Sequence, residues 1–560
     1  MSQIIDLPGK TPQEKPPKER APLINHLIAL AVTIVVGLVY FYFALPAINL
    51  QNIDFYIYLL ALTVTYIVVY LLLCGIIKLE MEAVDMVPAL KKDCLVPVVI
   101  AALLVALLLV GILISSVVFR SRAYTQLLTV EPGDFATEVE QLSFNQIPML
   151  DRASAQRLGD RKLGELSDMV SQFEVSDDYP QMNFNGRPVR VATLIYGDFF
   201  KWINNNRNGL PAYIVTDMVT QNVEVVRLPV GIKYSQSDLF FRKITRYLRI
   251  NYPTYMFEVP RMEIDEDGKP YWIASRIVKT IGLFGGTDIS GAVILDAVTG
   301  ESRYYDKADI PTWVDQVFSS NIIIEQYDYY GKYQNGFINS MFGQRGVTVA
   351  TEGNNFIAQY DDVYFYTGIT SVGDDQSILG FILTNQRTKQ TSYYPCAGAK
   401  ELSAATSAEG VVQHLKYTAT FPLLLNISGE PTYFMSLKDN AGLVKLYAMV
   451  NVQQYNIVAT GDTVSACEDE YKILLQRHGI SDVEQPLYQD AEITGVVTDV
   501  RTAVLGGESF YYLRLDGSTT YYALRAANDQ RVIVLNTGDR VTLVYDRPVE
   551  NIGIFPARLK

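Results

Sequence analysis

Three long stretches of the chain carry no Asp, Glu, Lys or Arg: Ala21–Ile53, Phe55–Ile77 and Cys94–Phe119. Each exceeds the roughly 20 residues a helix needs to cross about 30 Å of hydrocarbon. Hydropathy therefore predicts three transmembrane helices, near residues 24–45, 55–77 and 95–119, inside a membrane region spanning 23–120. Aromatic residues gather at their ends (Tyr40, Phe41, Tyr42; Phe55, Tyr56, Tyr58), as they do at membrane–water interfaces. The first stretch is too long for the apolar core of a signal peptide, and no small-x-small cleavage site follows it, so it reads as a retained anchor.

Basic residues in short loops set orientation. The N-terminal tail holds Lys10, Lys15, Lys18 and Arg20, and the loop between the second and third spans holds Lys78, Lys91 and Lys92. The loop Pro46–Asp54 has none. Arg120 and Arg122, beyond the third span, oppose the rule and are outnumbered. The expectation is a multi-pass plasma-membrane protein with a cytoplasmic N-terminus and an extracytoplasmic C-terminal region. From Ala123 on there are 38 basic and 52 acidic residues, a balance that argues against nucleic acid and anionic lipid as partners of that region as a whole. Outside the cell Cys396 and Cys467 are permitted to pair. A bond between them would close a loop of roughly 70 residues and contribute about 4 kcal/mol in the chain-entropy account. Two separate buried thiols are the equal alternative.

The regions that follow differ in pattern. Residues 1–22 are polar and proline-rich, a flexible cytoplasmic tail. Residues 121–180 form a juxtamembrane segment with an amphipathic helix over Asp151–Phe173, whose apolar face is Leu158, Leu163, Leu166, Met169, Val170 and Phe173. Residues 181–485 read as an α+β repeat region. GAVILDAVTGESRYYD (Gly291–Asp306) aligns without gaps on GFILTNQRTKQTSYYP (Gly380–Pro395), sharing the glycine, Thr299 with Thr388, and a Tyr-Tyr pair. A fainter copy, Tyr213–Val226, places Thr220 at the same point. Each copy is strand, polar turn, strand. A second recurring element is GLPAY (209–213), GKPYW (268–272) and GEPTY (429–433), with helical runs at Ser237–Ile250 and Ala399–Leu415. Residues 486–560 hold short alternating strands, among them QRVIVL, with turns at Gly506–Gly507, Asp516–Gly517 and Thr537–Gly538. Closing such strands gives a small OB-like β-barrel. The expected fold class is thus a three-helix membrane region, extracytoplasmic α+β repeats and a C-terminal small β-barrel.

The unit LDAVTGESRYY, preceded by a helix and the GKPYW hairpin, resembles the PepSY module, whose end is a strand pair of the form vDa-x-TGev. The match is best at Asp296, Ala297, Thr299, Gly300 and Glu301; the copy at 380–395 lacks the Asp and the turn glycine. Spans followed by such a region are similar to bacterial membrane-anchored envelope proteins. The resemblance implies protein binding and modulation of peptidases or wall enzymes, and no catalytic residue.

The residues themselves offer little chemistry. Of three histidines, His26 sits in the first span, His414 ends a helical run and His478 precedes Gly479. None is spaced to share a metal, and no GxSxG accompanies them. IGLFGGTDISG (281–291) lacks the GK[ST] end of a phosphate loop and reads as a hairpin loop. The pairs Asp265/Asp267 and Asp361/Asp362 lack a full calcium spacing and read as turn caps. No catalytic, cofactor or metal residues are expected. One surface-like feature is EQYDYYGKYQNGF: Tyr327, Tyr329, Tyr330 and Tyr333 either line an exposed partner-binding loop or pack a strand into the core. The leading reading is a non-enzymatic binding or scaffold protein, held in the bilayer by three spans, that meets an envelope protein or itself. The alternatives are a membrane-bound hydrolase using a carboxylate pair, favoured by two adjacent carboxylates with a raised pKa in a cleft, and a subunit of an oligomeric channel.

Overall fold

The computed structural model describes residues 22–73, 94–141, 147–373, 377–480, 491–505, 508–526, 529–545 and 554–559. It divides into two units, 1–475 and 476–560.

Helices α1 (Pro22–Ala44), α2 (Ile53–Leu73) and α3 (Leu95–Ser115) are each long and apolar enough to cross a membrane, which is compatible with a multi-pass membrane protein. The third is shorter than hydropathy suggested. Ser116 takes an extended conformation, and its side chain accepts the N–H of Val118 to start a separate helix, α4 (Val117–Thr125). A serine able to cap outweighs continued hydropathy there. The basic residues Lys10, Lys15, Lys18, Arg20, Lys78, Lys91 and Lys92, the tail, residues 74–77 of the second stretch with Cys74, and Gly506–Gly507 lie outside the described residues.

One end of the bundle carries the β-rich domain. Ile48 N donates to Pro253 O (2.8 Å), Asn49 Nδ2 to Thr254 O (2.9 Å) and Gln51 Nε2 to Lys279 O (2.8 Å). Arg249 Nε donates to Leu45 O (2.9 Å) just past the last turn of α1, where a cation meets the negative end of the helix dipole. The hairpin turn at Gly282–Phe284 sits on α3: Ser115 Oγ accepts the N–H groups of both Leu283 and Phe284 at 2.9 Å, and the Phe284 ring lies edge-on to Tyr56. The loop between α1 and α2 and the β-rich domain therefore lie at the same end of the bundle.

Beyond α4 come four curled antiparallel sheets with one strand plan. In each, two short strands pair one after the other with a long third strand, and a fourth and fifth follow as hairpin partners. The long third strands are Arg187–Tyr196, Pro270–Ile281, Asp362–Ser371 and Glu430–Lys438. A helix precedes each sheet: Arg152–Gly164, Ile244–Asn251, Ser320–Tyr333 and Glu401–Val411. Strand Val130–Pro132 adds to the third sheet, parallel to Thr391–Tyr393. Buried apolar side chains join the first sheet to the second (Val191, Leu194, Ile214, Trp272, Val293, Leu295) and the second to the third (Ile273, Ile294, Phe318, Phe365, Ile382).

The turn between fourth and fifth strands is the same device each time. Asp217 Oδ1 accepts the N–H groups of Val219 and Thr220, Asp296 those of Val298 and Thr299, Asn385 those of Arg387 and Thr388, and Asn451 those of Gln453 and Gln454, all between 2.8 and 3.0 Å. Asparagine serves as well as aspartate because the device needs only a carbonyl-type acceptor. In the first three turns the residue four places on has a positive φ: Gln221, Gly300 and Lys389. That conformation costs a non-glycine residue roughly 1–2 kcal/mol, so Lys389 is tolerated where Gly300 is optimal. Asp296→Ala leaves two N–H groups unpaired and removes the Lys269 ion pair (2.7 Å). It is expected to destabilise the chain by about 2 kcal/mol, read by chemical denaturation, with faster amide exchange at Val298 and Thr299.

Several sequence expectations are corrected. GLPAY (209–213) opens a fourth strand; the first-sheet counterpart of GKPYW and GEPTY is Gly186–Val189, GRPV, after a tight turn at Asn185–Gly186. The helix expected over Asp151–Phe173 stops at Gly164, and Phe173 begins a strand. Its buried stripe is Ala155, Gly159 and Leu163, and a Cβ on Gly159 would stand 2.0 Å from the Tyr179 hydroxyl. Small residues let the helix approach the sheet, a signal that large apolar residues do not carry. Ser237–Ile250 divides into a 3-10 turn, Phe240–Arg242, and the helix Ile244–Asn251.

In the second unit, five strands (Ala491–Leu505, Glu508–Leu515, Tyr521–Arg525, Arg540–Tyr545 and Ile554–Leu559) pair in a closed circuit around Val497, Leu513, Leu515, Leu524 and Leu543. The first five residues of QRVIVL form a 3-10 turn capped by Asp529, with Val532 and the following Leu535 against the core while Ile533 and Val534 stay exposed.

Candidate functional site

The segment Pro148–Arg152 threads between the first and fourth sheets. Ser436 Oγ donates to Met149 O (2.8 Å), Met149 N to Met218 O (2.8 Å), and Lys438 Nζ pairs with Asp151 Oδ1 (2.6 Å). These contacts leave a cleft of about 250 Å³ walled by that segment, by Arg190 and Met218 of the first sheet, by Asn354–Phe356 of the third, and by Phe421, Phe434 and Met435 of the fourth. Arg190 donates from Nη1 to Tyr179 O (2.8 Å), while its Nε has no partner. Burial pushes this guanidinium down to about 10, still charged at neutral pH. Burial raises the Asp151 carboxyl, but hydrogen bonds from Lys438 and Ser154 outweigh it and hold the group below its ordinary value. The cleft thus offers a desolvated cation and apolar walls. Among the described residues no histidine or cysteine lines it. It can hold an acceptor group such as a backbone carbonyl or carboxylate.

A carboxylate pair does exist. Glu263, on strand Arg261–Ile264, accepts the N–H groups of Asp315 (2.8 Å) and Gln316 (3.0 Å). Asp315 Oδ2 accepts Asn183 N (2.6 Å), and its Oδ1 has no partner. Burial, opposed by these hydrogen bonds, raises Glu263 to about 7; burial and then the Glu263 charge push Asp315 well above the carboxylate range. Glu263 has the donors that favour a charge, so the proton belongs on Asp315. Both are 1 % exposed, and Arg261, Gln316 and Gln181 bridge them to neighbouring strands. The pair ties the first two sheets to the approach of helix Ser320–Tyr333, and neither carboxylate lines the cleft.

Tyr327, Tyr329, Tyr330 and Tyr333 lie neither on a loop nor on a strand but on that helix. Tyr327 is buried, with its hydroxyl 3.4 Å from Thr348 Oγ1. Tyr329 packs on Tyr124, Tyr333 stacks on Tyr329, and Phe337 stacks on Tyr333. Spacing of three and four places the rings on neighbouring faces, and the interleaved polar residues occupy the remaining side. Cys396 and Cys467 are separate free thiols: Cys396 is on the last strand of the third sheet, and Cys467 is on helix Val464–Arg477 with Sγ 3.6 Å from Ala459 O. Burial raises them to about 11 and about 12, so neither is a nucleophile at neutral pH. His414 and His478 are exposed. Asp265 caps its own turn by accepting Asp267 N and Lys269 N, and Asp362 pairs with Arg387. Among the described residues no His, Cys, Asp or Glu cluster is arranged to hold a metal. The sequence signal that could have found the cleft is Arg190 itself, a charge in the apolar strand VRVATLIY.

No family model matches the chain, and no curated protein is significantly similar to it.

Proposed function

We propose that this protein is a membrane-anchored, extracytoplasmic, non-enzymatic binding or scaffold protein that holds an envelope protein, or a second copy of itself, at a set height above the bilayer. The carrying observation is the seat of the β-rich domain on its spans, made by main-chain and side-chain hydrogen bonds at Ile48, Arg249 and Ser115. A tethered enzyme needs only a leash, whereas a scaffold needs a fixed geometry. Four sheets with one strand plan and one turn device support PepSY-like repeats, and the closed five-strand circuit supports an OB-like module. The short-loop basic residues support an extracytoplasmic domain. The Arg190 cleft is the binding point, suited to a peptide carbonyl or carboxylate.

The hydrolase reading has one observation in its favour, the raised carboxyls of Glu263 and Asp315. At 1 % exposure they meet no substrate, and the junction role accounts for them.

The test is chemical cross-linking of the full chain in its native membrane, followed by purification and mass measurement, beside Arg190→Met. A discrete cross-linked species that is lost in Arg190→Met supports the reading. An uncross-linked monomer, with release of product from wall or peptide substrates, overturns it in favour of the hydrolase.

A further inference from the structure

Large apolar side chains stand exposed on three pieces of the first unit that are far apart in sequence, and each piece is tied to the domain end of a span. The first is the turn Phe240–Arg242 with helix Phe199–Asn205. Phe240 O accepts Arg246 Nη1 (2.8 Å), and the same guanidinium reaches Tyr42 O (3.4 Å) and lies 4.0 Å over the Tyr42 ring, in the last turn of α1. Trp202 joins the two segments, stacking on Phe199 and packing against Phe240. Phe200 is 74 % exposed and Phe241 66 %, with Phe199, Ile203 and Phe240 near half.

The second piece is Phe337–Gly343. Tyr124, whose hydroxyl donates to Ser115 O (2.6 Å) at the end of α3, starts the ring ladder through Tyr329 and Tyr333 to Phe337. Helix Ser320–Tyr333 runs toward the bundle. Its start lies beside Ser275, through the Val317 carbonyl, and Gln326 lies beside Thr287, close to the turn seated on Ser115. Beyond it Ile338 is 74 %, Met341 59 % and Phe342 86 % exposed. The third piece is α4 itself, with Val118 and Phe119 exposed directly after α3.

Exposed apolar residues scattered singly need no explanation, but clusters of this kind mark an interaction surface. All three are tied to the domain ends of the spans, next to which the bilayer the spans cross would lie. Basic residues accompany them: Lys201, Arg207, Arg242 and Lys243 at the first, Arg120 and Arg122 at the third, on a domain that is acidic overall. Aromatic rings with flanking Lys and Arg suit the headgroup–acyl boundary, the rings below the phosphates and the cations among them.

We infer that Phe199, Phe200, Phe240 and Phe241, together with Ile338, Met341 and Phe342, form a collar that dips into the leaflet on the domain side, so that the domain is held by lipid around the bundle as well as by the bundle. The occupant is the bilayer interface, and the inference rests on α1–α3 spanning it. The collar goes beyond anchoring: it fixes the tilt of the domain and makes its pose depend on headgroup charge and lipid packing.

The test adds one tryptophan at a time to the three of the full chain, reconstituted in nanodiscs of phosphatidylcholine and phosphatidylglycerol with brominated acyl chains, and reads the emission of each variant against that of the unaltered chain. Phe241→Trp and Phe342→Trp are the probes, Leu103→Trp in the middle of α3 is the positive control, and Tyr360→Trp on a hairpin turn is the negative control; all four residues are exposed. Relative to nanodiscs without bromine, the emission added at 241 and 342 is expected to fall nearly as far as that at 103, while that at 360 stays unchanged. Quenching at 103 alone overturns the collar and leaves the spans standing, and the apolar patches then belong to a protein partner. No quenching at 103 overturns both.

Discussion

Asp315→Asn is expected to raise the stability of the chain at pH 8 and to weaken its dependence on pH. Glu263 is lifted from 4.5 to about 7 chiefly by burial, a displacement worth roughly 3 kcal/mol. Burial and the Glu263 charge lift Asp315 further. A carboxyl with a raised folded-state pKa binds its proton more tightly folded than unfolded. Its stabilising effect is therefore complete below pH 4.5 and is lost as pH rises through about 7. Asparagine reproduces the protonated, neutral form of Asp315 and keeps an oxygen for Asn183 N, so the share of the cost at high pH that comes from Asp315 disappears. Glu263→Gln should behave oppositely at pH 8, because its amide group would face one of the N–H groups of Asp315 and Gln316; a loss of about 1–3 kcal/mol is expected. Denaturation followed by tryptophan emission from pH 5 to 8 separates the two, with Trp272, which pairs with Met262 next to Glu263, as the local reporter. A flat profile in the unaltered chain would remove the buried pair as its cause.

Gly291→Ala is expected to cost about 3 kcal/mol or more. A Cβ there would stand 2.1 Å from Tyr305 O, the backbone of the paired strand, and 2.8 Å from the Tyr304 hydroxyl. The side-chain contact is relieved easily; the backbone contact yields only if the pairing of Gly291 with Asp306 opens. Tyr304→Phe should therefore fail to rescue the variant. Gly380 repeats the arrangement, with Tyr394 O at 2.4 Å and the Tyr393 hydroxyl at 2.7 Å, and its substitution should cost about as much. Chemical denaturation with limited proteolysis reads both, and a cost below about 1 kcal/mol would show that the sheet yields more easily than close packing allows.

These two predictions differ in how much of their basis was readable beforehand. The shared glycine and Tyr-Tyr pair stand out in the alignment of Gly291–Asp306 on Gly380–Pro395, and the structure supplies the reason, a backbone approach that leaves no room for a side chain. Glu263 and Asp315 give no such sign. They lie 52 residues apart, and each alone looks like an ordinary surface carboxylate.

The same division runs through the molecule. Sequence alone determined the three apolar helices long enough to cross a membrane, because freedom from charge over the width of a bilayer is a local property. It also determined the turns built on Asp217, Asp296 and Asn385, whose acceptors and donors lie within three residues of each other. The fourth turn, at Asn451, is less legible because one more residue separates its strands. Only the tertiary structure decided that Cys396 and Cys467 stay apart, that the tyrosines of 325–337 ride on a helix, and that Arg190 faces a cleft made by three sheets. It alone seated the turn at Leu283–Phe284 on Ser115. The physical reason is the range of the forces: hydropathy and turn hydrogen bonds act between neighbours in the chain, whereas burial of a charge, a thiol or a ring depends on which distant strand arrives to cover it.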